Sequence, residues 1–154
     1  MERTLIILKP DAIQRGLAGT IINRFEQKGL KLVAVRFRKL EESLLAKHYE
    51  DHKQRPFYPG LVRFMGESPV MVMVLEGVEA IATCRKMMGA TFGRDADPGT
   101  IRGDFGVSRS YNLIHGSDSA AAAEREIGLF FDANEIVEWQ PAGHKWVYDA
   151  EDLS

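Results

Sequence analysis

Val70-Met71-Val72-Met73-Val74-Leu75 is apolar at every position. A strand with one wet face alternates apolar and polar residues, so this run reads as a central strand covered on both sides. Such a strand needs partners beside it and helices above and below. Outward from it, Thr4 to Leu8 is another short apolar run, partly β-branched, stopped by Pro10 with Lys9 at its exit. Leu32 to Phe37 and Tyr111 to Ile114 complete a set of four strands. Gly19 to Gln27 reads as a helix with Ile22 and Phe25 inward, closed by Lys28-Gly29. Glu42 to Lys53 is a charged helix, and Phe57 to Met65 another, entered through Pro56 and Pro59. Val78 to Met88 is amphipathic, with Val78, Ile81, Ala82 and Met88 in phase, and Ala120 to Phe131 is the last long helix. The order β-α-β-(αα)-β-α-β-α predicts an α+β fold, a ferredoxin-like split βαβ sandwich with a four-stranded antiparallel sheet and surrounding helices. A doubly wound parallel sheet would need more strands and shorter loops. Without linker, repeat or low-complexity segment, residues 1–154 read as a single domain.

The composition is ordinary for a globular chain: 154 residues, 45% hydrophobic and 27% charged. With 20 basic and 22 acidic residues, the formal net charge of −2 lacks the basic excess of a general nucleic-acid binder. No apolar stretch approaches the roughly 20 residues that span a bilayer. Met1-Glu2-Arg3-Thr4 enters a strand at once, with no targeting segment before it, so the expectation is a cytoplasmic protein with no membrane partner. Cys84 alone cannot form an internal disulfide, and its apolar-periodic surroundings make it a buried small hydrophobe.

Chemistry is concentrated near Asn112-Leu113-Ile114-His115-Gly116-Ser117-Asp118. Here a histidine ends an apolar run, and Ser117, Asp118 and Ser119 can each cap the helix that carries Glu124 and Glu126. An imidazole at a corner rich in oriented N–H groups suits a nucleophile that meets an anion. Residues 89–110 lack clear periodicity, and a tethered loop of that length in a compact domain points to function. Its glycines match neither G-x-x-x-x-G-K-[ST] nor G-x-G-x-x-G, so a phosphorylated ligand would be held by side chains. Lys9, Arg85, Thr91 and Arg102 are the candidates, with Tyr49 as a hydroxyl donor.

Several separate pieces together carry a resemblance: Lys9-Pro10-Asp11, Gln14-Arg15-Gly16, Arg24 to Gly29, Arg55-Pro56-Phe57, Gly89-Ala90-Thr91, Pro98 to Phe105 and Asn112 to Asp118. In order and spacing the chain resembles the nucleoside diphosphate kinases over nearly its whole length. The resemblance implies transfer of the γ-phosphate of a nucleoside triphosphate to a nucleoside diphosphate by a ping-pong mechanism through a phosphohistidine at His115. It implies that Glu126 orients the imidazole with support from Ser117, and that Arg85, Thr91 and Arg102 hold phosphates. Lys9 and Asn112 would reach the ribose 3′-hydroxyl, and Lys9 the moving phosphate as well. Tyr49 would sit near the γ-phosphate, and Phe57 would stack on the base beside Leu61. Mg²⁺ would be held mostly by nucleotide and water, near Asp118. Base stacking without edge readout predicts tolerance of any base. The family also implies a closed homo-oligomer. The long loop and the C-terminal Trp146-Val147-Tyr148 favour a hexamer over a tetramer.

Two positions depart from the family pattern. Phe92-Gly93 stands where relatives have Asn-Pro, and Arg109 where a small aliphatic residue meets the base. His48 and His52 share one predicted helix, without H-E-x-x-H or a third ligand, and read as a solvated face. Trp139 and Trp146 read as packing or subunit-contact residues, followed by a polar, acidic tail. A non-catalytic nucleotide- or RNA-binding module on the same fold is the alternative, since a fold alone does not fix function. The presence of His115, Lys9 and Arg85 together favours the enzyme.

Overall fold

Strand β3 (Val70–Gly77) lies inside the sheet, between β2 (Lys31–Arg38) and β1 (Glu2–Leu8), and the three-residue β4 (Ile114–Gly116) pairs with the far side of β1. All three pairings are antiparallel in the order β2-β3-β1-β4, so β3 inserts between the two strands joined by the first crossover, which is the split βαβ arrangement. This computed structural model describes residues 1–154.

Side chains alternate across a strand, and here both sets are apolar. Val70, Val72 and Val74 of β3 join Leu5 and Ile7 of β1 on one face, under α3 (Glu42–His48), α4 (Tyr58–Glu67) and α7 (Ala120–Phe130). Met73 and Leu75 join Ile6 and Leu8 on the other face, under α2 (Ala18–Lys28) and α5 (Ala80–Met88). Two cores therefore share one sheet, as expected of a strand apolar on both sides. Helix α2 ends at Gly29, whose φ of 98° closes the last turn in a conformation that costs glycine little. No helix is long and apolar enough to cross a membrane.

Several boundaries differ from the sequence reading. The fourth strand is Ile114–Gly116 rather than Tyr111 to Ile114, because Leu113 takes φ 72° and breaks the extended run. The charged helix stops at His48, and Glu50–His52 forms a separate 3-10 turn. Residues 89–110 contain a 3-10 turn at Gly93–Asp95 and the short helix α6 (Ile101–Phe105). Thr100 caps α6 by accepting from the Gly103 N–H at 3.0 Å. A five-residue helix, α1 (Pro10–Gln14), opens on Pro10 directly after β1. The C-terminal segment packs back on the fold, with Val137 N–H donating to Val33 O at 2.9 Å and Trp139 Nε1–H to Leu32 O at 2.9 Å.

Candidate active site

His115 is the middle residue of β4 and pairs across the sheet with Ile7. Facing residues of an antiparallel pair share a face, so its imidazole points toward α7 and α3. Its neighbour Gly116 points the other way. A Cβ there would sit 2.7 Å from Met88 Sδ and 3.2 Å from Ile6 Cδ1, so glycine lets β4 approach α5. The apolar face thus dictates Gly116, and the opposite face presents His115.

Glu126 reaches back from α7 and holds the ring. His115 Nε2 lies 2.8 Å and 3.2 Å from its two carboxylate oxygens. With Nε2–H committed to the carboxylate, the lone pair of a neutral ring sits on Nδ1. Burial alone would raise the Glu126 carboxyl, but the His115 hydrogen bond and charge, with Ser117 alongside, hold it below the usual range. Ser117 is fully buried, and its hydroxyl accepts from Leu5 N–H at 3.2 Å, so it ties β1 to this corner. Of the three candidate caps, Ser119 does the capping, accepting from Ala122 N–H at 3.1 Å.

A cleft of about 600 Å³ opens over the ring. Tyr49, Arg85, Asp118 and Arg125 line it with His48, His115 and Glu126. Arg85 is steadied by donating to Gly116 O at 3.2 Å. Asp118 is exposed, with one oxygen accepting from the Ser119 hydroxyl at 3.2 Å. The Tyr49 hydroxyl titrates above the ordinary tyrosine range, through burial first and Glu126 second, so it stays a proton donor.

Lys9, Asn112 and Arg102 form a second group behind this cleft rather than on its lining. Lys9 Nζ donates to Asn112 Oδ1 at 2.7 Å, and Asn112 Nδ2 donates to Thr91 O at 2.9 Å. Burial, and then the Arg102 charge, push the Lys9 amine down to about 8. Arg102 is buried and donates to the carbonyls of Asn112 (3.1 Å), Gly89 (3.1 Å) and Ile114 (2.7 Å). Two of its five N–H groups are left for another acceptor. Leu113, in its left-handed conformation, is clamped from both sides: its N–H donates to Asp11 Oδ2 at 3.1 Å, and its carbonyl accepts from Lys9 N–H at 2.8 Å. Strain of this kind costs of order 1–3 kcal/mol and persists only where its surroundings hold it. Here it bends the chain so that Asn112 meets Lys9 while His115 enters the sheet.

Thr91 and Phe57 are exposed and not among the residues lining the cleft, and Phe57 borders it beside the lining residue His52. Leu61 packs partly buried against the β3 face, leaving Phe57, 54% exposed, as the open aromatic plate. The Phe57 ring centroid is 5.4 Å from that of His52.

His48 corrects the sequence reading. It is 6% exposed rather than on a solvated face, and its ring centroid is 5.0 Å from that of His115 at 85°. His52, its supposed partner, is turned outward by the 3-10 turn. The inward i, i+3 spacing of Leu45 and His48 was the available signal. Arg125 is a cleft residue that no motif marked.

The first residues to the last strand and helix match the family model of nucleoside diphosphate kinase, over residues 2–136. The chain belongs to the nucleoside diphosphate kinase family. It is an enzyme, a phosphotransferase acting on nucleotides. A nucleoside diphosphate kinase of Drosophila yakuba is 53% identical over 148 residues, covering 96% of this chain and 99% of that protein. The halophilic nucleoside diphosphate kinase of Halobacterium salinarum, solved in complex with CDP, superposes at TM-score 0.94 with 50% identity, over 96% of this chain and 99% of that one. A transition-state mimic of the Borrelia burgdorferi nucleoside-diphosphate kinase, with bound vanadate and ADP, superposes at TM-score 0.88 with 41% identity, over 94% and 95% of the two chains. The two positions that depart from the family pattern touch each other: the Arg109 guanidinium lies 4.7 Å over the Phe92 ring.

Proposed function

We propose that this chain passes the γ-phosphate of a nucleoside triphosphate to a nucleoside diphosphate in two steps, through a phosphohistidine at His115. The observation that carries the reading is the His115–Glu126 contact at 2.8 Å, which occupies Nε2 and leaves the Nδ1 lone pair as nucleophile. In the first step Nδ1 forms the N–P bond as the bond from the γ-phosphorus to the bridging oxygen breaks, and the nucleoside diphosphate leaves. In the second, the terminal oxygen of an acceptor diphosphate attacks that phosphorus and the N–P bond breaks. Glu126 stabilises the positive charge that the ring gains as Nδ1 bonds to phosphorus, and Ser117 braces Glu126.

In this reading Arg85 and Arg102 meet phosphate oxygens, with the Thr91 hydroxyl beside them. Lys9 and Asn112 reach the 3′-hydroxyl, and Tyr49 donates near the moving phosphate. Phe57 stacks on the base. Asp118, an exposed carboxylate at the cleft, fits a Mg²⁺ that travels on the nucleotide, since Mg²⁺ keeps most of its water and phosphate ligands. When bound, that ion would neutralise phosphate charge. The CDP and ADP complexes of the neighbouring kinases support a nucleotide in this cleft. A closed homo-oligomer, a hexamer rather than a tetramer, is part of the same proposal. Exposed Val35 and Phe37 on edge strand β2, and Trp146 at 83% exposure, are apolar surface for subunits to cover.

The experiment is exchange between ATP and a second nucleoside diphosphate, with initial velocities measured at several fixed acceptor concentrations. Parallel double-reciprocal lines are expected, along with an acid-labile phosphoprotein when the acceptor is left out. Intersecting lines with no phosphoprotein would mean direct transfer between the two nucleotides. Purine and pyrimidine acceptors should be used with similar efficiency, and a 3′-deoxy acceptor more slowly.

A further inference from the structure

One group in the cleft is left without a partner by everything above. His48 has only 2% of its side chain exposed, yet neither ring nitrogen makes a hydrogen bond. A buried polar group without a partner is costly, so an imidazole in that state is poised for one. Its surroundings do not supply it: Tyr49 and Phe130 meet the ring edge to face, with centroids at 4.5 Å and 5.3 Å. On the cleft side Glu126 Oε2 lies 3.8 Å from His48 Nδ1, beyond hydrogen-bond reach.

We propose that His48, His115 and Glu126 form a binding site for a divalent transition-metal ion of the zinc class. Two imidazoles and a carboxylate are a zinc donor set, and their ligand atoms lie within 4.8 Å of one another. Zinc–nitrogen and zinc–oxygen bonds of about 2.0–2.1 Å in a tetrahedron put neighbouring ligand atoms about 3.3 Å apart. The two distances to Glu126 Oε2 are 2.8 Å from His115 and 3.8 Å from His48, on either side of that value. Closing the widest gap, up to 4.8 Å between ligand atoms, to about 3.3 Å asks for side-chain shifts of roughly 1–1.5 Å. The fourth position faces the cleft, where water or a phosphate oxygen can fill it. This is a different ion from the Mg²⁺ that travels on the nucleotide, because Mg²⁺ prefers an octahedron of oxygens over imidazole nitrogens.

The consequence for turnover rests on the reading of His115 as nucleophile. A neutral imidazole bound through Nε2 carries its proton on Nδ1. The lone pair that would attack phosphorus is then used up, so the ion is an inhibitor that acts on the nucleophile itself.

The test uses the full-length, metal-stripped protein and Zn²⁺ alone, titrated against a chromophoric chelator. One Zn²⁺ per chain is expected, undisturbed by excess Mg²⁺. His48→Gln should weaken binding by at least the roughly 10–100-fold that loss of an outer-shell partner costs. If that variant does not fold, the wild-type imidazole resonances decide the matter: both His48 and His115 should move with Zn²⁺, and Co²⁺ should give the intense visible bands of a four- or five-coordinate ion. No stoichiometric binding, unmoved His48 resonances, or unchanged affinity in a folded His48→Gln protein would overturn the site. If Zn²⁺ binds and depends on His48 while phosphate exchange continues unhindered, the site stands and the nucleophile role of His115 fails.

Discussion

The two strands that flank β1 are opposites. On one side β3 is eight residues long, buried but for Met71, paired on both edges and apolar on both faces from Val70 to Leu75. On the other side β4 is three residues long, paired on one edge only and entered through a strained Leu113. The first holds two cores together, and its one charged side chain, Glu76, is already paired with Arg3 and Lys31. The second contributes three ladder positions and carries the imidazole. A reactive side chain needs an open neighbour, and an edge strand provides one that a central strand cannot. With His115 as the proposed nucleophile, stability and chemistry fall to different strands, so they should fail separately.

The largest effect should come from β4. His115→Ala should reduce phosphate exchange by about 10⁴-fold or more, since nothing else nearby can replace a covalent nucleophile. Its melting temperature should stay close to that of the wild type, because the ring is partly exposed. A large loss of stability would mean that β4 is structural after all. Next comes β3, where Met73 is fully buried between Ile6 and Val35. Met73→Ala should cost about 2–5 kcal/mol of stability. Calorimetry should show the drop, while phosphoenzyme formation persists below the new melting temperature.

A smaller effect sharpens the comparison through pH. The Lys9 amine, at about 8 instead of the ordinary 10.5, is charged below that pH and neutral above it. The kcat/KM for a nucleoside triphosphate should therefore fall as pH rises through about 8, and Lys9→Arg should move the fall to higher pH. Stability moves the other way. Between about 8 and 10.5 the unfolded chain holds a proton that the native chain lacks, so this group adds stability as pH rises. The last effect, on the acid side, concerns His48. Burial, and then the nearby His115, lower its pKa from 6.5 to about 3, so its neutral ring favours the native state above about 6.5. That contribution is lost as pH falls from about 6.5 toward 3. His48→Gln should flatten this part of the acid denaturation curve, which urea unfolding at several pH values would measure.

What the sequence made legible follows the same division. The run from Val70 to Leu75 announces a strand with two covered faces, and Lys28-Gly29 announces the end of α2. Both rest on local rules that the rest of the fold leaves undisturbed. Tyr111 to Ile114 looked like a strand by composition, but the Asp11 and Lys9 contacts hold Leu113 in a left-handed turn, and no local rule contains those contacts. Helix α6 has five residues, too few for a period to show. His48 was misread because a helix through Lys53 would leave it on one face with His52, and the chain turns at Tyr49 instead. His115 stood out from its corner before the helix caps, while the roles of Glu126 and Ser117 came through the family pattern. Their grouping at one corner follows from the pairing of His115 with Ile7, which fixes the face the ring looks toward.

On the proposed mechanism Glu126 commits Nε2 of His115 and leaves Nδ1 to react. Phosphorylating the protein with ATP in the absence of an acceptor, and identifying the bonded ring nitrogen by ³¹P–¹⁵N correlation, tests it directly. One phosphate per chain is expected, on Nδ1 of His115. Phosphate on Nε2, or on any residue other than His115, would contradict it.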